Sequence, residues 1–347
     1  ISGEGKAARV NRWQGFAYGP AHGDAAPTKR GKALVSAWRE NLHAHMAAGR
    51  KELSEYLWRL CAWKIQHPTD VPLVFVVLTG PQGSGKNTFV LPLVNLFGAH
   101  GLHSQSALSQ FNVRMEGTAL VYHDEAEYLA AAKTMRLLKA FVTEQQLTYE
   151  SKGVDTYQGL NLAMHFAAAN NHSVHIEPTD RRVVLLRTRP PAEGAKWFQK
   201  RGLDGIIGRR ELDRPESREF HAALLDALRR PRLPAGWRPI PAPETEERAE
   251  AIEEHLPALD AWVWHALQRG VVPGLAVPGR GPEPWVRGRA ISPDERQAVW
   301  GAFRESLATG GVGGGSRAIS QRTEGVTGYN SFAGFARRVL VLLGAES

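Results

Sequence analysis

Nine residues constrain this chain more than any others: Gly80–Thr88, GPQGSGKNT. Glycine at 80, 83 and 85 marks a turn whose backbone takes conformations closed to other residues. The run before it, Leu73–Leu78 (LVFVVL), is continuously apolar, as a strand buried on both faces requires. Phe89, Leu93 and Leu96 follow at helical spacing until Gly98. Strand, glycine loop and helix in that order make an anion cradle. Backbone N–H groups surround phosphates, and the helix N-terminus adds partial positive charge. Gly80, Pro81, Gln82, Gly83, Ser84, Gly85, Lys86, Asn87 and Thr88 would line it, with Lys86 reaching the β- and γ-phosphates of a nucleotide. The usual pattern has Ser or Thr directly after the lysine to hold Mg²⁺. Here Asn87 comes first, so the metal ligand is either the Thr88 hydroxyl or the Asn87 amide oxygen.

The rest of the chain sorts around that loop. Residues 1–70 read as an irregular lead-in with an aromatic cluster (Trp13, Phe16, Tyr18), then two helices. The helices show as Leu34, Trp38, Leu42 and His45, and as Leu53, Tyr56, Leu57, Leu60 and Cys61. Residues 71–190 carry further strand candidates at Ala119–Tyr122, Leu147–Glu150, Leu162–Ala168 and Val183–Arg187, with a helix at about 131–143. Strands alternating with helices predict an α/β fold with a largely parallel sheet and flanking helices. Residues 191–243 read as a basic connector ending in a proline-rich stretch. Residues 244–347 read as a small, mainly helical C-terminal domain. It has an acidic opening at Glu244–Glu254, a glycine run at Gly310–Gly315 and a last amphipathic helix at Phe332–Leu343.

At 347 residues, 43% hydrophobic and 22% charged, the chain has material for a sizeable core and is not a disordered or fibrous protein. No apolar run approaches the roughly 18 residues of a membrane helix, so no membrane partner is expected. Cys61 is the single cysteine, which excludes an intramolecular disulfide and a cysteine-based zinc site and fits a cytosolic setting. The start, Ile1–Arg12, is polar, without a signal-peptide pattern or an initiator methionine, and is expected to continue a longer polypeptide. A net charge of +8 suits a polyanionic partner, and equally a basic soluble protein.

Three further elements carry chemistry. Ala119–Glu125 (ALVYHDE) is a strand ending in two carboxylates, with Asp124 placed for a metal ion and Glu125 for polarising water. Met164–Asn171 (MHFAAANN) is a strand ending in asparagine; Asn170, or Asn171, would orient that water against the γ-phosphate. Asp180-Arg181-Arg182 adds two arginines that in a ring of subunits would reach a neighbour's nucleotide. Alternatively they pair with Asp180 or contact DNA phosphates.

With these motifs in place the chain resembles the superfamily-3 helicases of the AAA+ class, in particular the primase-helicases of phages and mobile elements. Phosphate loop, acidic pair and asparagine fall within about ninety residues, that family's compact spacing. Leu138–Tyr157 (LKAFVTEQQLTYESKGVDTY) resembles its segment with a lysine-glycine turn, and Asn11–Gly19 (NRWQGFAYG) its lead-in. The likeness covers roughly residues 10–190, with Ala169-Asn170 where the family often has Ser-Asn. It implies a hexameric ring that hydrolyses ATP with Mg²⁺ and translocates on single-stranded DNA in the cytoplasm of a prokaryotic host, with a primase domain or other replication proteins as partners. It also implies a β-hairpin into the central channel, formed here by Gln146–Ser151, a turn at Lys152–Asp155 and a return through Tyr157. Lys152 is the leading candidate for gripping DNA phosphates, with Tyr157 and His165 behind it. The C-terminal domain is expected to be winged-helix-like. Two other functions fit the same motifs: an AAA+ ATPase that loads or remodels a replication partner, and a nucleotide-gated DNA-binding module.

Overall fold

A computed structural model describes residues 12–19, 22–23, 26–104, 112–151, 154–170, 174–177, 180–208, 211–255, 258–277, 281–284 and 291–308. Lys152, Asn171, the glycine run at 310–315 and the expected helix at 332–343 lie outside them. The chain divides into two compact units, Ile1–Ala249 and Glu250–Ser347.

The first unit opens with α1 (Lys29–Asn41), a π-helical turn (Leu42–Met46) and α2 (Lys51–Gln66). Thr28 caps α1, its Oγ1 accepting from Gly31 N at 2.9 Å. The central sheet has five parallel strands: β1 (Phe75–Thr79), β2 (Gly101–Ser104), β3 (Leu120–His123), β6 (Met164–Ala169) and β7 (Val183–Arg187). Their order is β2-β3-β6-β1-β7. Helix α3 (Lys86–Phe97) links β1 to β2, and α4 (Ala132–Thr143) follows β3. β4 (Gln146–Ser151) and β5 (Val154–Leu160) form a separate antiparallel pair.

Period-two alternation divides the sheet's residues between two faces. Val76, Leu78, Leu120, Tyr122, Phe166, Ala168, Val184 and Leu186 join one core with α1, α2 and α3. Val121, on the other face, packs with Met115, Leu147 and Tyr149. Buried Lys64 ties α2 to the entry of β6: its Nζ donates to Leu162 O at 2.7 Å, Asp70 O at 2.8 Å and Pro68 O at 2.9 Å. Three carbonyls match the three donors of an ammonium, while burial pulls its pKa down to about 7.

The elements differ from expectation in instructive places. The first strand starts at Phe75, because Leu73 turns away at φ 60° after Pro72 and stays 36% exposed. Leu147–Glu150 is a strand outside the main sheet. Leu147 and Tyr149 are buried while Gln146 and Thr148, which alternate with them, are exposed, the pattern of a one-sided ribbon. β2 was not anticipated: GLHS is short, half-buried and at the sheet edge.

Among the described residues of 191–243 are two helices, α5 (Ala195–Lys200) and α6 (Pro215–Arg229). Helix α6 buries Phe220, Leu224, Leu225 and Leu228. It crosses α1 so closely that a Cβ on Gly31 would lie 2.5 Å from Glu219 O, which is why glycine stands inside α1.

The second unit holds most of α7 (Glu246–His255), then α8 (Ala258–Gln268), a β8–β9 hairpin (Val271–Val277, Gly281–Pro284) and α9 (Pro293–Ala308). Its described core includes Leu259, Trp262, Val272, Val299 and Phe303. Ser292 and Glu295 form a reciprocal capping box at the start of α9, with N–H to side-chain distances of 2.8 and 3.3 Å. Among the described residues no helix is long and apolar enough to cross a membrane.

Candidate active site

β1 delivers the glycine loop to the carboxyl end of the sheet, between the ends of β6 and β7, where open α/β sheets bind ligands. Thr188, just past β7, pins the loop. Its N–H donates to Thr79 O at 2.7 Å, and its Oγ1 lies 3.0 Å from the same oxygen and 2.8 Å from Ser84 Oγ. A Cβ on Gly80 (φ 137°) would approach Thr188 O to 2.8 Å. At Gly85 (φ 89°) it would lie 2.6 Å from Asn41 Oδ1 and 2.7 Å from Phe198 Cζ. Neither position admits a side chain. Asn41 also donates Nδ2 to Gly85 O at 3.2 Å, so α1 holds the loop from behind. Helix α3 starts at Lys86, and its first-turn N–H groups lack partners within the helix, as an anion site requires.

Lys86 is buried and folds over the loop, its Nζ donating to Gly80 O at 2.6 Å, Pro81 O at 3.1 Å and Asn170 Oδ1 at 3.4 Å. Burial lowers its pKa, and Asp124 and Glu127 oppose that shift. The lysine of the loop and the asparagine of β6, 84 residues apart in sequence, are thus brought into contact.

Asp124 ends β3 beside the loop. Its Oδ2 accepts from His103 Nε2 at 3.2 Å and Asn87 Nδ2 at 3.2 Å, and its Oδ1 from Glu125 N at 3.0 Å and Tyr122 OH at 3.4 Å. The hydrogen bond from His103 leads the interactions that hold its carboxyl below the usual range, so it is ionised near neutral pH. Asn87 is exposed, touches Asp124, and accepts from Tyr122 OH; Thr88 is buried in the first turn of α3. A carboxylate and one amide or hydroxyl oxygen are the hard donors Mg²⁺ takes, few enough to leave positions for phosphate and water, so these residues fit that ion.

Glu125 is exposed with φ 53°, a left-handed backbone that is uncommon for a residue with a side chain and marks a sharp turn after β3. Glu127 lies in the turn that follows, its Oε1 accepting from Asn170 N at 2.6 Å. Sequence reasoning missed Glu127, His103, Thr188 and Asn41. Only Glu127 had a visible signal, as the third carboxylate in Asp124–Glu127 (DEAE).

The remaining candidates lie elsewhere. Arg181 and Arg182 stand at the start of β7, where Arg182 O accepts from Phe75 N at 3.0 Å. That is the opposite end of the sheet from the loop, about 16 Å away along a five-residue strand. Arg181 is exposed, while Arg182 is tied to buried Asp180 through its N–H at 2.9 Å and its guanidinium at 3.9 Å. Neither arginine meets its own chain's loop.

Tyr157 is exposed on β5, its hydroxyl on Glu116 Oε2 at 2.7 Å. His165 is not available to a DNA strand. It lies buried in β6, hydrogen-bonded to His123 at 3.0 Å, and burial drives its pKa well below the ordinary value. The alternation that buries Phe166 on one face of β6 buries His165 on the other.

A family model described as a family of unknown function (DUF5906) matches residues 78–182, the span from the end of β1 to the start of β7. No curated protein matches the chain. Among solved structures, the apo C-terminal region of NrS-1 (305–718) aligns at TM-score 0.50 and 15% identity, over 72% of this chain and 62% of that one. Its A form aligns at TM-score 0.50 and 16% identity, over 74% and 62%. The JCV helicase bound to a thiazolopyridine acetamide aligns at TM-score 0.32 and 16% identity, over 58% and 62%, too distant to argue from. The chain therefore spans about 62% of the NrS-1 region. At these identities the likeness is one of fold, and the fold is P-loop NTPase-like: a parallel sheet with flanking helices and the glycine loop after its first strand.

Proposed function

We propose that this chain is the motor of a superfamily-3 AAA+ helicase, an ATP hydrolase whose subunits form a ring, hexameric in the family it resembles, around single-stranded DNA during replication of a phage or mobile element. One observation carries the reading. At the carboxyl end of a parallel sheet ordered β2-β3-β6-β1-β7, Lys86 at the start of α3 meets Asn170 just past β6, and its neighbour Asn87 meets Asp124 just past β3.

The loop N–H groups and Lys86 bind the β- and γ-phosphates, and Asn170 orients the attacking water beside Lys86. Glu125 takes the proton from that water. Mg²⁺, held by Asp124 with an oxygen of Asn87 or Thr88, supplies charge neutralisation on the phosphates when bound. Arg181, exposed and remote from its own loop, suits a role at the neighbouring subunit's phosphate in a head-to-tail ring. Arg182 is held by Asp180 and supports that position. The β4–β5 ribbon is the DNA-facing hairpin, with Lys152 between its two strands in sequence and Tyr157 on its return strand. The work takes place in the host cytoplasm, alongside a primase domain or other replication proteins.

The test is particle mass with a non-hydrolysable ATP analogue and single-stranded DNA, beside unwinding of a forked duplex. A ring that displaces the strand only with hydrolysable ATP is expected. A ring without strand displacement would favour a loader or remodelling ATPase. A monomer that binds DNA without turnover would leave a nucleotide-gated binding module.

A further inference from the structure

Three carboxylates fall in Asp124–Glu127, and the proposed function uses only the first two. Glu127 is engaged differently. Asn170 is the first residue beyond β6, and its N–H faces the β3 side, where the ladder has ended at the His123–Ala167 pair. Its backbone N–H is therefore past the last strand partner and needs another acceptor. Glu127 Oε1 supplies one at 2.6 Å, the short distance of a charge-assisted bond. Two residues earlier on β6, Ala168 O accepts from Ala126 N at 2.7 Å. The segment 126–127 thus grips the end of β6 at two points, one on each side of Ala169.

That segment is itself firmly held. Tyr128 OH lies 3.3 Å from His123 Nδ1, and His123 Nε2 lies 3.0 Å from His165 Nδ1. This buried chain of side chains fastens the turn to both β3 and β6. Leu129, next along, is fully buried. A rigid turn makes Glu127 a fixed acceptor, and a fixed acceptor sets the peptide orientation of Asn170. The Asn170 side chain is exposed, and from that fixed peptide its Oδ1 faces Lys86 Nζ at 3.4 Å.

We infer that Glu127 is a positioning residue, whose carboxylate holds the Asn170 backbone so that the Asn170 amide stays aimed at Lys86 and the γ-phosphate position. The inference rests on the ATPase reading above, and Lys86→Ala separates the two. If Lys86→Ala keeps turning over ATP, the active-site reading has failed. If it is dead, the Glu127 variants test the inference alone.

The experiment is steady-state ATP hydrolysis by the full chain, with kcat and KM separated and thermal unfolding recorded for each variant. Glu127→Ala should lower kcat by about 10- to 100-fold, the usual effect of losing an outer-shell partner, with KM changed by less than about threefold. Glu127→Gln keeps an oxygen that can accept from Asn170 N–H and should recover most of that loss. Glu127→Met has similar bulk without that acceptor and should match alanine, which keeps the test valid if Glu127→Ala unfolds. A double-mutant cycle is the sharpest arm: Asn170→Ala placed on Glu127→Met should cost little beyond the worse single variant, because both remove the same aimed amide.

Fully additive losses would overturn the inference. So would a Gln variant as impaired as Met, or a rise in KM at unchanged kcat.

Discussion

Lys86→Ala is expected to lower ATP turnover by at least about 100-fold, the scale on which losing one preorganised donor to a developing charge is felt. The lysine is the buried cation of the loop, held 2.6 Å from Gly80 O and 3.4 Å from Asn170 Oδ1. Burial already weakens its hold on the proton, so in this site it costs free energy until an anion joins it. A polyphosphate would relieve that cost, and nucleotide affinity should fall along with turnover in the alanine variant. Phosphate release and equilibrium nucleotide binding check both parts. Turnover within about threefold of wild type would remove the loop from catalysis.

Glu125→Gln should separate binding from hydrolysis. The residue is exposed at the carboxyl end of β3, and the contacts that hold Lys86 over the loop come from Gly80, Pro81 and Asn170. The amide keeps the shape and loses the proposed base, so ATP should bind with little change while hydrolysis falls by about 10²- to 10⁴-fold. Assembled particles should then accumulate with ATP itself, as wild-type particles would with an analogue. A variant that neither binds ATP nor assembles would make Glu125 a structural residue of the turn, a role its left-handed backbone could also explain.

Those two residues stand out in the sequence because the motifs that carry them are local. GPQGSGKNT between an apolar run and an apolar helix admits few readings, and ALVYHDE ends a strand in the same terms. Asn170 was legible only as one of two adjacent asparagines; its contact with Lys86 belongs to the tertiary fold. Glu127 shows why the rest was hidden. Nothing in DEAE tells which carboxylate faces the loop and which the end of β6, since the left-handed Glu125 turns the chain between them.

The same limit applied to the fold. The strands buried on both faces were readable as apolar runs, whereas β2 is short and half-buried and carries no such run. Helix α6 was obscured by the basic and proline-rich residues around it, although Phe220, Leu224, Leu225 and Leu228 keep helical spacing. His165 misled because a polar residue beside a predicted hairpin suggests exposure. Strand alternation instead put it inside, next to His123.

The most direct test of the central claim is phosphate release by the full chain with ATP and Mg²⁺, followed as single-stranded DNA is titrated in and compared with Lys86→Ala. Basal release above the Lys86→Ala level that climbs further and saturates as DNA is added is the predicted result. Release at the Lys86→Ala level throughout the titration would contradict it.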